Sequence, residues 1–253
     1  MPLSLTRTYI AWDYHSRAFG VAANHSYDIC PAGDHFPYTY ADAVFRHDQS
    51  SSEFFGAQTA WNGNGGTLTL RNRRKFYFPD SYNAKNCAQG APTLMQDAPG
   101  HRIERKRDNH RRLQELIPPS GYKITCRYDA ADRIIEAKDD LNQLRKYSYD
   151  TSGHIATVSD ARHALYRFEY APLIREAGFD PWLLTRVLDG EGQVLLENKY
   201  FLYRVCEQKL VDGQVFHYDY KLNDREVLET TVTLPTGEKN GFWFREGRRV
   251  EQK

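Results

Sequence analysis

Two stretches of this chain can be laid over each other without a gap, and that internal repeat constrains the fold more than any single motif. Cys126 to Asp139 reads CRYDAADRIIEAKD, and Tyr147 to Asp160 reads YSYDTSGHIATVSD. Tyr128, Tyr149 and Tyr170 are evenly spaced, and each of the first two is followed by an aspartate, Asp129 and Asp150. A third copy starts at Phe168, is interrupted from Ala171 to Asp180, and resumes at Leu183 toward Asp189 and Gly190. Further along come Tyr200, the segment from Val205 to Asp212 and Gly213, and the run Phe216, Tyr218, Asp219, Tyr220.

Within a copy, apolar and polar residues alternate, as at Tyr147 and Tyr149 and again at Ile155 and Thr157. Alternation of period two is the mark of a strand with one buried face. The links between strands carry turn chemistry. Asp150 to Gly153, Asp189 with Gly190, and Asp212 with Gly213 offer an aspartate able to close an Asx turn and a glycine suited to positive φ. Each copy is therefore expected to be a β-hairpin whose neighbours supply the adjoining strands.

Composition agrees. Seventeen Tyr against two Met is a bias toward residues that suit a pleated, half-buried surface. At 253 residues, 40% hydrophobic and 26% charged, the chain is long enough for a genuine core. The net charge of +1 supplies no global field for nucleic acid or an anionic membrane, and no window approaches a bilayer-spanning run. The expectation is no nucleic acid and no membrane insertion.

The unit resembles that of the RHS family, also called YD-repeat proteins: Tyr-Asp, two residues, Gly-Arg-Leu, then Val and Asp. Asp132 stands where that pattern has Gly, and His154 where it has Arg. The resemblance implies an all-β fold of consecutive antiparallel β-hairpin repeats forming a curved or spiral sheet, with residues 101–253 as the repeat array. Residues 1–100 are similar to the β segment that precedes such repeats, through Thr6, Tyr9, Phe19, Gly20, Tyr27 and Asp28. The repeat-defining residues are then Tyr128, Asp129, Tyr149, Asp150, Gly153, Tyr170, Asp189, Gly190, Asp212, Gly213, Tyr218 and Asp219.

Elsewhere, Phe36 to Phe45, Phe54 with Phe55, Thr67 to Leu70 and Lys75 to Phe78 read as short strands, with a turn at Asn62 to Gly66. Asn83 to Gly100 reads as loop. The basic run His101 to Arg112 reads as strand with an exposed turn at Asp108 to His110, and its interspersed acids make it a solvated face rather than a polyanion site.

No HExxH, GxSxG or GxxxxGK[ST] occurs, so no enzymatic function, catalytic residue, metal ligand or cofactor is expected. Cys30, Cys87, Cys126 and Cys206 show no metal-ligand spacing, and their pairing is left open. Asp180, Pro181 and Trp182 echo the self-cleavage phrase of larger RHS proteins without its later glycines, so autoproteolysis is not expected.

The leading functional expectation is an extracellular or cell-surface scaffold or adhesion module that associates through its sheet edges with copies of itself or with the rest of an RHS chain. Carbohydrate binding through Trp12, Trp61, Trp182, Trp243 and the tyrosines is the second, and a shell fragment of a toxin-encapsulating chain the third.

Overall fold

A computed structural model describes residues 5–11, 13–25, 27–31, 37–40, 43–46, 54, 56–80, 87–172, 182–223, 226–245 and 248–250. Apart from a four-residue helical turn at Cys87–Gly90, its regular elements are β-strands, each paired antiparallel. The all-β expectation of consecutive antiparallel hairpins is met. The chain divides into two units, Met1–Ile155 and Ala156–Lys253.

In the first unit, Gln58–Trp61, Gly65–Thr69, Lys75–Pro79, Leu94–Gln96, Arg102–Arg107, Leu113–Ile117, Ile124–Tyr128, Ile134–Asp139 and Leu144–Tyr149 each pair with the next. In the second, the order runs Ile155–Ser159, Ala164–Pro172, Trp182–Asp189, Val194–Phe201, Arg204–Leu210, Val215–Asn223, Glu226–Thr233 and Lys239–Arg245. Bulges recur along both runs, as between Arg127 and Tyr128 and between Lys221 and Leu222. Each bulge raises the local twist and bends its strand, so the sheet within each unit is curved.

One connector recurs nine times among the described residues. At Leu70, Asp97, Asp108, Asp129, Asp139, Asp150, Asp189, Leu210 and Leu234 the N–H donates to the carbonyl four residues on, and the carbonyl accepts from the N–H three residues on. The residue three on is left-handed in all nine of these turns, from Asp132 (φ 61°) to Gly100 (φ 100°). This is the type I turn followed by a left-handed bulge residue that joins three-residue hairpins.

Some expectations shift. The positive φ of the Asp189 turn falls on Gly192, not Gly190. Gly190 is needed because a Cβ there would sit 2.1 Å from the Ala164 carbonyl oxygen. Asp212 is the third residue of a turn that opens at Leu210, and Gly213 (φ 84°) is its left-handed residue. Part of the expected loop from 83 to 100 is the strand Leu94–Gln96, which is held by pairing on both sides despite its own weak pattern. Of the predicted strand at Phe36 to Phe45, Phe36 lies outside the described residues, as do Phe55, Asp180 and Pro181.

Three clusters of buried apolar residues lie in the first unit, and a strap formed by the described residues between 5 and 29 covers part of its sheet. In the strap, Arg7–Tyr9 pairs with Ala23–His25 and Ser16–Arg17 with Gly20–Val21. Asp13 is fully buried and holds the bend through the Arg17 Nε (2.9 Å) and the His15 backbone N–H (3.1 Å). Two backbone bonds fasten strap to sheet: the Ile134 N–H to the Ala18 carbonyl (2.7 Å) and the Val21 N–H to the Gly153 carbonyl (2.9 Å). Between them Phe19 is buried against Tyr147, with ring centroids 5.0 Å apart.

Candidate functional site: the repeat ladder and its two faces

The turn aspartates do more than reverse the chain. In Asp108, Asp129, Asp139, Asp150 and Asp189, one carboxylate oxygen accepts from the backbone N–H groups two and four residues on, at 2.8 to 3.0 Å. Two otherwise open donors are thereby satisfied by one side chain. In two of these turns the second oxygen holds an arginine. Arg112 donates through Nε to Asp108 (2.7 Å), and Arg133 donates through Nε to Asp129 (2.8 Å).

Each of these arginines then lies over the tyrosine of the following unit: Arg112 over Tyr128 at 4.7 Å, Arg133 over Tyr149 at 4.3 Å. The tyrosine hydroxyls return to the backbone, Tyr128 donating to the Leu113 carbonyl (2.8 Å) and Tyr149 to that of Ile134. An Asp-Arg-Tyr rung is the result. Its repeat length is 21 residues, visible in Asp108, Asp129 and Asp150 (108, 129, 150) and in Arg112, Arg133 and His154. Sequence reading missed the first of these copies, because DNHRRL at Asp108 to Leu113 is preceded by Arg107 where the later copies have Tyr. Its aspartate, basic residue and leucine fall on the 21-residue grid and would have revealed it.

Electrostatics follow the geometry. Burial pushes the Asp129 carboxyl up, but hydrogen bonds from the Arg133 and Ala131 backbone and the Arg133 side chain outweigh it and leave it below the usual carboxylate range. Asp108 is lowered in the same way by Arg112 and His110. Burial pushes the Tyr128 and Tyr149 hydroxyls well above their ordinary value, so both stay protonated as donors. At the third copy His154 replaces arginine and sits buried, with Nδ1 3.3 Å from Asp150.

The second unit keeps the tyrosine part of the rung: Tyr200 donates to the Leu184 carbonyl (2.7 Å) and Tyr220 to that of Val205 (2.7 Å). Tyr218 and Asp219 lie in mid-strand, paired with Val232 and Thr231, not at a turn. The register sorts this unit into two unlike faces. Phe168, Val187 and Leu196 stand in one row, Tyr218 and Val232 in another, Tyr220, Thr230 and Phe242 in a third, all on the same side. The other side carries alternating charge, Glu169, Arg186, Glu197 and Lys209 in one row and Lys199, Glu207 and His217 in the next. Arg186 bridges Glu197 (2.8 Å) and Lys199 bridges Glu207 (2.8 Å). The apolar rows are only half-buried, and none of the three apolar clusters lies in this unit.

The basic run from His101 to Arg112 is not uniformly solvated. Arg102, Glu104 and Lys106 face out, while Ile103 and Arg105 are buried, an alternation fixed by the strand. Cys126 is a buried free thiol pushed up to about 12 by burial, and Cys206 is a free thiol on the second unit's apolar side; the side chains of Cys30 and Cys87 lie outside the described residues. Among the described residues no three His, Cys, Asp or Glu side chains are grouped to hold a metal, and no helix is long and apolar enough to cross a membrane.

No protein-family model matches the chain, and no curated protein does. Solved structures do share features with it. A crystal structure of TcdB2-TccC3 without its hypervariable C-terminal region is 12% identical with a TM-score of 0.40, covering 72% of this chain and 12% of that one. TcdB2-TccC3-Cdc42 gives 11% identity and a TM-score of 0.38 over the same shares. The Photorhabdus luminescens Tc holotoxin pore gives 8% and 0.25, covering 72% of this chain and 14% of that one. The chain thus spans a small part of their length, and scores this low decide neither family nor function. What stands on the chain's own residues is an all-β ladder of hairpins whose 21-residue unit is locked by an aspartate, an arginine and a tyrosine.

Proposed function

We propose that the chain is a non-enzymatic wall segment, acting outside the cell or at its surface by packing against further chain: copies of itself or the remainder of a longer RHS-type polypeptide. The observation that carries this is the amphipathic second unit. Its charged face is satisfied by cross-strand ion pairs, whereas its apolar face, with Phe216, Tyr218 and Tyr220, is only half-buried and belongs to none of the three apolar clusters. Sheets bury their apolar face against another layer, so such a face is a surface built for an occupant. The repeat carried by Tyr128-Asp129 and Tyr149-Asp150 is the reason for reading the parent as an RHS-type chain, and the role as part of an encapsulating shell belongs to this reading.

The rungs argue against the tyrosines as sugar platforms, because Tyr128, Tyr149, Tyr200 and Tyr220 donate their hydroxyls to backbone carbonyls. Light scattering across a concentration series tests the proposal. Mass that grows with concentration in the wild type, and stays monomeric in Tyr218→Glu, is the expected result. A constant monomer mass in both, with no uptake of an apolar dye by the wild type, overturns it.

A further inference from the structure

Beneath the strap, the inner side of Arg102–Arg107 places two guanidiniums in a sealed environment. Arg105 is 3% exposed and lies between the rings of Tyr27 (5.0 Å) and Phe76 (5.5 Å). Arg107 is nearly as buried and uses Nη2 on the Tyr27 carbonyl (3.2 Å) and the Asp28 carboxylate (2.9 Å). His25 is fully buried and accepts the Tyr27 backbone N–H at Nδ1, so its proton is on Nε2, 3.7 Å from Asp28.

Four buried nitrogens here have no hydrogen-bond partner in the protein: Nε and Nη1 of Arg105, Nε of Arg107 and Nε2 of His25. All are donors. Burial lowers His25, the Asp28 charge only partly opposing it, which keeps the imidazole neutral. Among the described residues two guanidiniums face one carboxylate, Asp28, so donors outnumber acceptors. A buried donor left without an acceptor is destabilising unless a ligand supplies one. Water is a poor answer, because its own protons would need acceptors where donors predominate.

We propose that Arg105, Arg107 and His25 frame a buried site for one small monovalent anion, of chloride or acetate size, that fastens the strap to the sheet. The ligand must be small because the strap residues His25 and Tyr27 close over the site. It acts as a structural counterion. It accepts from orphaned donors of both strap and sheet, and therefore binds the folded chain and not the unfolded one.

The test is a set of thermal melts of the whole chain at fixed ionic strength, exchanging a bulky sulfonate salt for sodium chloride or sodium acetate. The wild-type midpoint should rise saturably, by about 5 °C when the anion reaches on the order of 100 times its dissociation constant. Arg105→Met should lose that rise. A midpoint indifferent to the anion in the wild type, or an equal rise in Arg105→Met, overturns the proposal and leaves water in the site. Should Arg105→Met fail to fold, chloride-35 line broadening on the wild type decides: saturable broadening displaced by acetate supports the site, and its absence overturns it.

Discussion

Removing one carboxylate from one rung tests the whole reading of the ladder. Asp129 is four-fifths buried, and Asp129→Ala strips two backbone N–H groups of their acceptor and frees Arg133 from both its ion pair and its position over Tyr149. Loss of a comparable cap costs about 1 kcal/mol. The exposed share of the ion pair adds about 0.5 and the loosened cation–π contact about 0.5. The sum is about 2 kcal/mol, or a fall in melting midpoint of roughly 4–8 °C for a domain this size. Asp129→Asn keeps the acceptor oxygen for the backbone and should cost only about half as much. Pairing Asp129→Ala with Arg133→Met closes a double-mutant cycle whose coupling should be about 1 kcal/mol. The assay is urea unfolding followed by intrinsic fluorescence. Asp129→Ala within about 0.3 kcal/mol of wild type, or Asn as costly as Ala, would refute the rung as a structural lock.

Other consequences are as direct. Asp108 and Asp129 have folded-state pKa values below their unfolded ones, so they stabilise above the unfolded value of about 4 and that stability is lost as pH falls through the lower folded values; melts should be flat from pH 5 to 7 and drop below about pH 4, less steeply in Asp129→Asn. Tyr149→Phe should cost about 1 kcal/mol and Tyr149→Ala about 3, read by the same urea titration, since only the latter removes the ring under Arg133. In Gly20→Ala the new methyl would meet the Gly153 carbonyl oxygen at 2.3 Å, at a φ of 86°, so the strap should lift and limited proteolysis should cut it many times faster.

The ladder was legible in the sequence because its signal is local. Alternation gives the strands, and Tyr128-Asp129 and Tyr149-Asp150 give both the strand end and the turn. The left-handed positions were legible only where glycine fills them. Arg73, Arg111, Asp132 and Asn142 adopt the same conformation with a side chain, because the two turn hydrogen bonds fix the backbone whatever residue is there. Nor could sequence show that Arg105 and Arg107 turn inward. A run of mixed charges normally marks a wet face, and it is the strap, from 80 residues earlier (Tyr27 against Arg107), together with Phe76 of a neighbouring strand, that supplies the rings and carbonyls that receive them. Long-range partners of this kind leave no trace in local pattern.

Two of the strap's fastenings, Ala18 to Ile134 and Val21 to Gly153, are backbone bonds to successive copies of the 21-residue unit. A hairpin ladder on its own has no sense of its length. Excising one whole unit, for instance residues 129–149, would splice Tyr128 onto Asp150 with each remaining turn unchanged. The strap would register it, because Ile134, whose N–H donates to the Ala18 carbonyl, lies within the excised stretch while Gly153, the partner of Val21, remains. It works as a gauge, accepting a sheet in which those two copies stand side by side and rejecting one in which a further copy has been inserted between them.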